Sequence, residues 1–318
     1  MGHVPFSSET GLLPSENEIA RLIVGPESVT WQYTSDVRLL LAPVYALLLQ
    51  VAHPTVAAGV LQYSDFERRP WHRLMRTFEY LLVLQYGGRE AAAAGRWVRE
   101  MHKGIKGMRA DGRPYCALEP GPYAWVHATL IETYVRAHQY FGRQMMKPHV
   151  EQFYREFIGL GRLVGVRDED LPKDWEGFRA YFDHMVSNEL GHNETVDRVL
   201  AAVRRPASPE LNFVPELAWR ALLLPPARLS YLGGVGLLPP ALRERLHIPW
   251  TRRDELEFRL IAAGARALDP LLPATLKMLG PTELRWRRRA LERASRKPKP
   301  AQEDEVSGAE GAAPPYPI

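Results

Sequence analysis

Three short stretches of this chain set ionisable side chains among residues that a helix would turn inward. They are Trp71-His72-Arg73-Leu74-Met75-Arg76-Thr77, Arg99-Glu100-Met101-His102 and Trp125-Val126-His127. A charge or an imidazole on a packed face costs free energy unless something there pairs with it. A metal ion, or a flat anionic cofactor such as haem, would supply that partner. His102 shares a helical side with Val98, Met101 and Ile105, with Arg99 one turn before it and Lys106 one turn after. A neutral imidazole nitrogen is a competent axial ligand for haem iron, and flanking cations would neutralise buried propionates. For a lone interior histidine, a hydrogen bond to a backbone carbonyl is the ordinary alternative.

Arg73 and Thr77 are four residues apart, with Arg76 adjacent. A guanidinium holds a carboxylate through two parallel hydrogen bonds, and a threonine hydroxyl adds a third contact. Salt bridges to Asp65, Glu67 or Glu79 are the plainer reading of the same residues. His127 reads as a second iron ligand, a pocket acid or base, or a partner of the ligand. His53, just before Pro54, stands where one helix ends and reads as a cap. Two Glu-x-x-His sequences, Glu189 to His192 and Glu244 to His247, match the pairs used by di-iron helical bundles. Gly191 weakens the first as a helix, and Ile248-Pro249 ends the second.

These residues need helices to hold them, and helical periodicity dominates the chain; no strand alternation stands out. The predicted elements begin with a short helix opened by Gly25-Pro26 and running to Thr34. An apolar helix capped by Ser35-Asp36 follows and ends at His53-Pro54. Next come stripes through Trp71, Leu74, Met75, Phe78, Leu81 and Leu82, and through Trp97, Val98, Met101, Ile105 and Met108. Ser64-x-x-Glu67 reads as a capping box before the first stripe. A turn-rich connection over 109–121 precedes a helix from Tyr123 to Phe141, and further helices are predicted over 148–165, 174–203 and 211–223. The Pro- and Gly-rich segment 225–250 reads as a wrap around the body, followed by a helix pair between Arg253 and Ser295. From Arg296 the composition turns to Pro, Glu, Ala, Gly and Lys, which predicts disorder. The organisation is therefore an N-terminal extension (1–19), one all-α domain (20–295) and a disordered tail (296–318).

Length and 46% hydrophobic content suffice for a large core. The single cysteine, Cys116, excludes an intrachain disulfide framework. No charged start followed by an apolar core is visible, so the chain reads as cytoplasmic. The apolar run Leu39 to Ala52, broken by Pro43, is too short to insert stably in a membrane. The net charge of +4 owes much to Arg285-Trp286-Arg287-Arg288-Arg289, a solvated helix face with no nucleic-acid motif behind it.

The ordered series Gly25 to Trp31, Leu48 to Pro54, Ser64-Asp65-Phe66, Trp71 to Thr77, Val98-Arg99-x-x-His102, Asp111 to Tyr115 and Trp125 to Ala128 resembles one family. It is the oxygenase domain shared by rubber oxygenase (latex clearing protein) and the MpaB-type fungal oxygenase, and the likeness spans roughly residues 20–290. The resemblance implies a globin-like helical fold, haem b with its iron, and oxidative cleavage of carbon–carbon double bonds by dioxygen. On that pattern His102 resembles the axial ligand, Arg99 the arginine before it, and Arg73 with Thr77 the Arg-x-x-x-Thr pair. His127 is similar to a downstream histidine near the haem. Where rubber oxygenases carry a lysine able to reach the iron, Arg76 stands here, and a guanidinium stays protonated and cannot coordinate as a neutral amine does. The expectation is a haem-b oxygenase acting on a small apolar, unsaturated substrate. A haem-less helical binder and a non-haem di-iron oxidase are the alternatives.

Overall fold

The computed structural model describes residues 14–67, 69–207 and 216–295. The tail predicted to be disordered lies outside them, and so do the side chains of Trp71, Arg287 and Arg288. The described chain is almost wholly helical. In order it forms α1 (Glu16–Leu22), α2 (Val29–Thr34), α3 (Pro43–Val51), α4 (Pro54–Tyr63), α5 (Pro70–Tyr86) and α6 (Glu90–Lys103). A two-stranded antiparallel hairpin, β1 (Lys106–Met108) and β2 (Pro114–Cys116), precedes α7 (Pro120–Tyr140). Then follow α8 (Lys147–Leu163), α9 (Trp175–His184), α10 (Glu194–Arg204), α11 (Glu216–Leu237), α12 (Pro240–Arg245), α13 (Arg252–Ala267), α14 (Ala274–Lys277) and α15 (Leu279–Ser295).

The core forms around α3 and α7. Tyr45, Leu48 and Leu49 of α3 and Trp125, Ala128 and Ile131 of α7 are fully buried, and α8 adds Phe153, Tyr154 and Phe157. Prolines open α3, α4, α5, α7 and α8 at their first turns, where a missing N–H is no loss and the fixed φ suits a helix. Trp125 donates its indole N–H to the Leu49 carbonyl at 3.0 Å, so the largest core side chain also leaves no polar atom unpaired.

Several expectations change in three dimensions. Residues 225–250 do not wrap the body: α11 runs through Pro225-Pro226 to Leu237 and lies against α3. Gly233 and Gly234 permit this, because a Cβ on either would strike Leu41 or Val44. The long helix predicted over 174–203 breaks into α9, a π-helical turn at Met185–Glu189, and α10 capped by Asn193. A hairpin replaces the loop predicted over 109–121, with Gly107 opposite Tyr115. The helix carrying His102 ends at Lys103, so Ile105 leaves the helical stripe for the connection and Lys106 and Met108 leave it for β1. Ser64 closes α4 instead of opening α5. The helical body also begins before residue 20, with Ile19 of α1 in the core.

No single described helix is long and apolar enough to cross a membrane; α3 and α4 together are, but they meet at 105°. His53 stands at that corner. It caps the start of α4, not the end of α3, with Nδ1 accepting from the Thr55 N–H at 3.2 Å.

Candidate active site at the junction of α5, α6 and α7

Helix α5 is anchored at one end and open at the other. Its last turns bury Val83, Leu84 and Tyr86, the last bonded to Thr34 Oγ1 at 2.6 Å. Its first turns leave Leu74 and Met75 exposed at 38% and 43%, and Met101 of α6 is exposed at 40%. The apolar stripe predicted along α5 is thus buried only in its second half. Large apolar side chains grouped on a surface mark a place built to contact something.

Arg73, Arg76 and Thr77 all stand on this open part. Thr77 Oγ1 donates to the Arg73 carbonyl at 3.0 Å and takes a long contact from Arg73 Nη1 at 3.4 Å. Among the described residues none of Arg73, Arg76 and Arg99 makes an ion pair, so the salt bridges to Asp65, Glu67 and Glu79 do not form; Glu67 pairs with Arg198. Arg73 is solvent-accessible, yet the protein around it holds its pKa below the ordinary arginine value; Arg76 adds like-charge repulsion and Asp65 opposes both. Arg73 stands on the wall that α5 and α6 form together, close enough to His102 to lower its pKa. Arg76 turns toward α6, with its guanidinium 5.8 Å from the Trp97 ring centre and Nη2 3.7 Å from Met101 Sδ.

His102 is half-buried in the same wall. Its Nδ1 lies 2.7 Å from the Val98 carbonyl, one turn back on α6. A carbonyl only accepts, so Nδ1 carries the proton and Nε2 keeps the lone pair. Nε2 has no hydrogen-bond partner among the described residues. Desolvation lowers the His102 pKa; the bond to Val98 opposes this, and Arg73 reinforces it. The imidazole is therefore neutral at neutral pH, with its free nitrogen set by a backbone bond. Metal-bound histidines are held in the same way.

Tyr123, at the start of α7, completes this wall, and the sequence reading missed it. Its ring stands edge-on to His102 with centroids 6.0 Å apart, and its hydroxyl donates to the Val164 carbonyl at 2.7 Å. Burial pushes its pKa up to about 12, although Arg99 pulls the other way. Arg99 lies over Gly165, where a Cβ would come within 2.9 Å of Nη1; Gly165 has φ +86°, a conformation glycine adopts freely. Tyr80 of α5, raised well above the tyrosine range by burial and by Tyr123, is the second residue missed. The one available signal was spacing, since Tyr123 stands four residues before His127 on one helical face.

His127 is placed differently. It is buried, its Nε2 donates to the Phe157 carbonyl at 2.8 Å, and its ring packs on Phe157 at 5.1 Å. Burial lowers its pKa to about 4. Its Nε2 is committed to α8, which makes it a strut between two helices. Lys106 is exposed on β1, where its carbonyl accepts from Tyr63 at 2.8 Å. The Glu-x-x-His sequences build no di-iron bundle: Glu189 and Glu244 are exposed, and neither histidine is helical. Among the described residues no three His, Cys, Asp or Glu side chains group to hold a metal.

The arrangement joins one free imidazole nitrogen, an unpaired guanidinium, two phenols and an accessible apolar surface. No solved structure shows a significant match to the chain. An uncharacterised protein of Mycobacterium tuberculosis and one of Mycobacterium bovis are each 24% identical to it over 241 residues, 74% of this chain and 90% of the relative. The catalytic-domain model described as ER-bound oxygenase mpaB/B'/Rubber oxygenase matches residues 31–267, which contain every residue of this site. The chain belongs to the MpaB/rubber oxygenase catalytic-domain family.

Proposed function

We propose that this protein is a haem-b oxygenase that uses dioxygen on a small apolar, unsaturated molecule. The observation that carries this reading is the His102 tautomer: Nδ1 is bonded to Val98, and Nε2 is free in a desolvated wall. Haem bound there would supply an iron that activates dioxygen. His102 would hold the metal from one side through Nε2. Arg73, which makes no ion pair among the described residues although Asp65 attracts it, suits a propionate, and the Thr77 hydroxyl stands beside it. Leu74, Met75 and Met101 offer apolar surface to the macrocycle or to substrate. Arg76 is committed to Trp97 and Met101 and cannot act as a neutral amine ligand, so the chain supplies one strong nitrogen ligand. Tyr123 and Tyr80 keep their protons at every ordinary pH and are donors, not bases.

The test is the visible and EPR spectrum of protein expressed with ample haem precursor. A Soret band at one haem per chain, with one imidazole ligand and loss in His102→Ala, is expected. Absence of haem from the folded chain would turn the reading to a haem-less binder. Two strong nitrogen ligands would overturn the assignment of Arg76.

A further inference from the structure

The two Glu-x-x-His sequences fail as helical metal pairs, yet the fold brings their histidines together. The rings of His192 and His247 have centroids 4.5 Å apart and planes inclined by 31°. They come from separate segments, His192 just before α10 and His247 just past α12. Helix α12 ends in a tight turn in which the Ile248 N–H returns to the Arg243 carbonyl at 2.9 Å and the His247 N–H to Glu244 at 3.0 Å. That turn forces His247 to φ +55°, and it is the one non-glycine with positive φ among the described residues. Glycine ordinarily fills this position, because any side chain is disfavoured there. The His247 ring makes no hydrogen bond among the described residues to offset that; its distinctive contact is His192. His192 Nε2 lies 3.0 Å from Asp197 Oδ1. The carboxylate accepts, so Nε2 bears the proton and Nδ1 keeps the lone pair. A carboxylate behind an imidazole is the common support of a metal-binding histidine.

We propose that His192 and His247 form a two-imidazole site for a late first-row divalent cation such as Ni²⁺ or Cu²⁺, with Asp197 positioning His192. An ion about 2.1 Å from each ligand nitrogen lies about 3.2 Å from each ring centre, and rings at right angles around it stand about 4.5 Å apart. The observed spacing therefore suits neighbouring corners of a square or octahedron. Water would complete the shell, since among the described residues no third protein ligand joins the pair. Such an ion would tie α12 to the start of α10 and, through Gly191 N–H to Ala52 (3.0 Å) and Asn193 to Val51 (2.8 Å), to the end of α3. The site is independent of His102 and of any haem.

Untagged full-length protein titrated with Ni²⁺, and with Cu²⁺ followed by EPR, tests this. One ion per chain is expected, with a micromolar midpoint and nitrogen splitting from two imidazoles. His247→Gly should weaken binding at least tenfold while the melting temperature holds or rises, because glycine suits this backbone. Asp197→Asn should weaken binding about tenfold, and His102→Ala should leave it unchanged. Parent-like binding in His247→Gly, loss of binding in His102→Ala, or no binding at millimolar metal would each overturn the proposal.

Discussion

His102 and His127 are imidazoles on successive helices, and each gives one ring nitrogen to a backbone carbonyl, but in different surroundings. His127 commits Nε2 to a carbonyl of α8, is wrapped by Phe157, and is backed by Gly161, where a Cβ would come within 2.8 Å of the ring. His102 satisfies Nδ1 within its own helix and leaves Nε2 uncommitted beside Arg73 and Tyr123. The first arrangement joins two helices inside the core; the second leaves its free nitrogen on a half-buried ring outside it. Each ring keeps one nitrogen without a partner among the described residues, so what separates the two is that His127 is buried and bonded across to α8 whereas His102 is half-buried and bonded within its own helix.

The sharpest way to break this comparison is to exchange the two losses. His102→Ala should take haem content from stoichiometric to undetectable in the Soret region, with little change in melting temperature, because its one bond lies within α6. Haem retained in a folded His102→Ala would move the ligand elsewhere and reverse the assignment of the two residues.

Next in size is a test of how strictly the buried region demands pairing. Glu132, 2% exposed, receives Arg179 at 2.7 Å and the Tyr45 hydroxyl at 3.4 Å, beside a cavity of about 340 Å³ lined also by Arg136 and Trp175. Burial raises the Glu132 pKa even though both arginines oppose it. Arg179→Met should cost about 2–3 kcal/mol in chemical denaturation; it falls at the low end for a broken buried pair because Arg179 is partly exposed. Glu132→Gln in the same chain should recover most of that loss, and additive losses would show that the pair is not coupled.

Gly161→Ala comes next. It pushes a methyl against His127 Nε2 and should cost roughly 1–3 kcal/mol without displacing haem. A neutral outcome would mean that α7 and α8 separate easily and that His127 is no strut.

The pH dependence of stability tests the same burial by another route. His127 and His53 both titrate at about 4 when folded, against an ordinary 6.5. Between those values the unfolded chain binds more protons than the folded one, so stability is full above pH 6.5 and is lost as pH falls toward 4. Each histidine contributes on the order of 3 kcal/mol across that window. His127→Gln, which keeps a donor for Phe157 and does not titrate, should flatten about half of the slope in denaturation measured from pH 7 to 4. An unchanged slope would place the acid sensitivity elsewhere. The smallest effect expected is Arg73→Lys, which keeps the charge and loses the fork, weakening haem retention a few-fold, or about 1 kcal/mol.

The helical placement of the candidate residues was legible before folding. Arg73, Thr77 and His102 lie on helices as their spacing required, and Arg73 and Thr77 meet as residues four apart must. Lys106 lies on β1 and not one helical turn past His102, because periodicity carries no warning that α6 stops at Lys103. Tyr123 and Tyr80 were missed because an aromatic residue on an amphipathic helix looks the same whether it lines a hollow or fills a core. The continuation of α11 through two prolines was hidden as well: local preference argues against it, and the close fit of Gly233 and Gly234 on α3 overrides that preference.

The sequence by itself determined that the chain is helical, where most helices start, and which family it belongs to, because apolar periodicity, proline placement and ordered motifs are properties of neighbours along the chain. Which nitrogen of each histidine is free was decided only by tertiary structure and local backbone geometry. Val98 is a neighbour of His102 by helical spacing, but Phe157 reaches His127 across thirty residues. Tertiary structure alone also brought His192 to His247. Long-range contacts of this kind leave no period in the sequence to read.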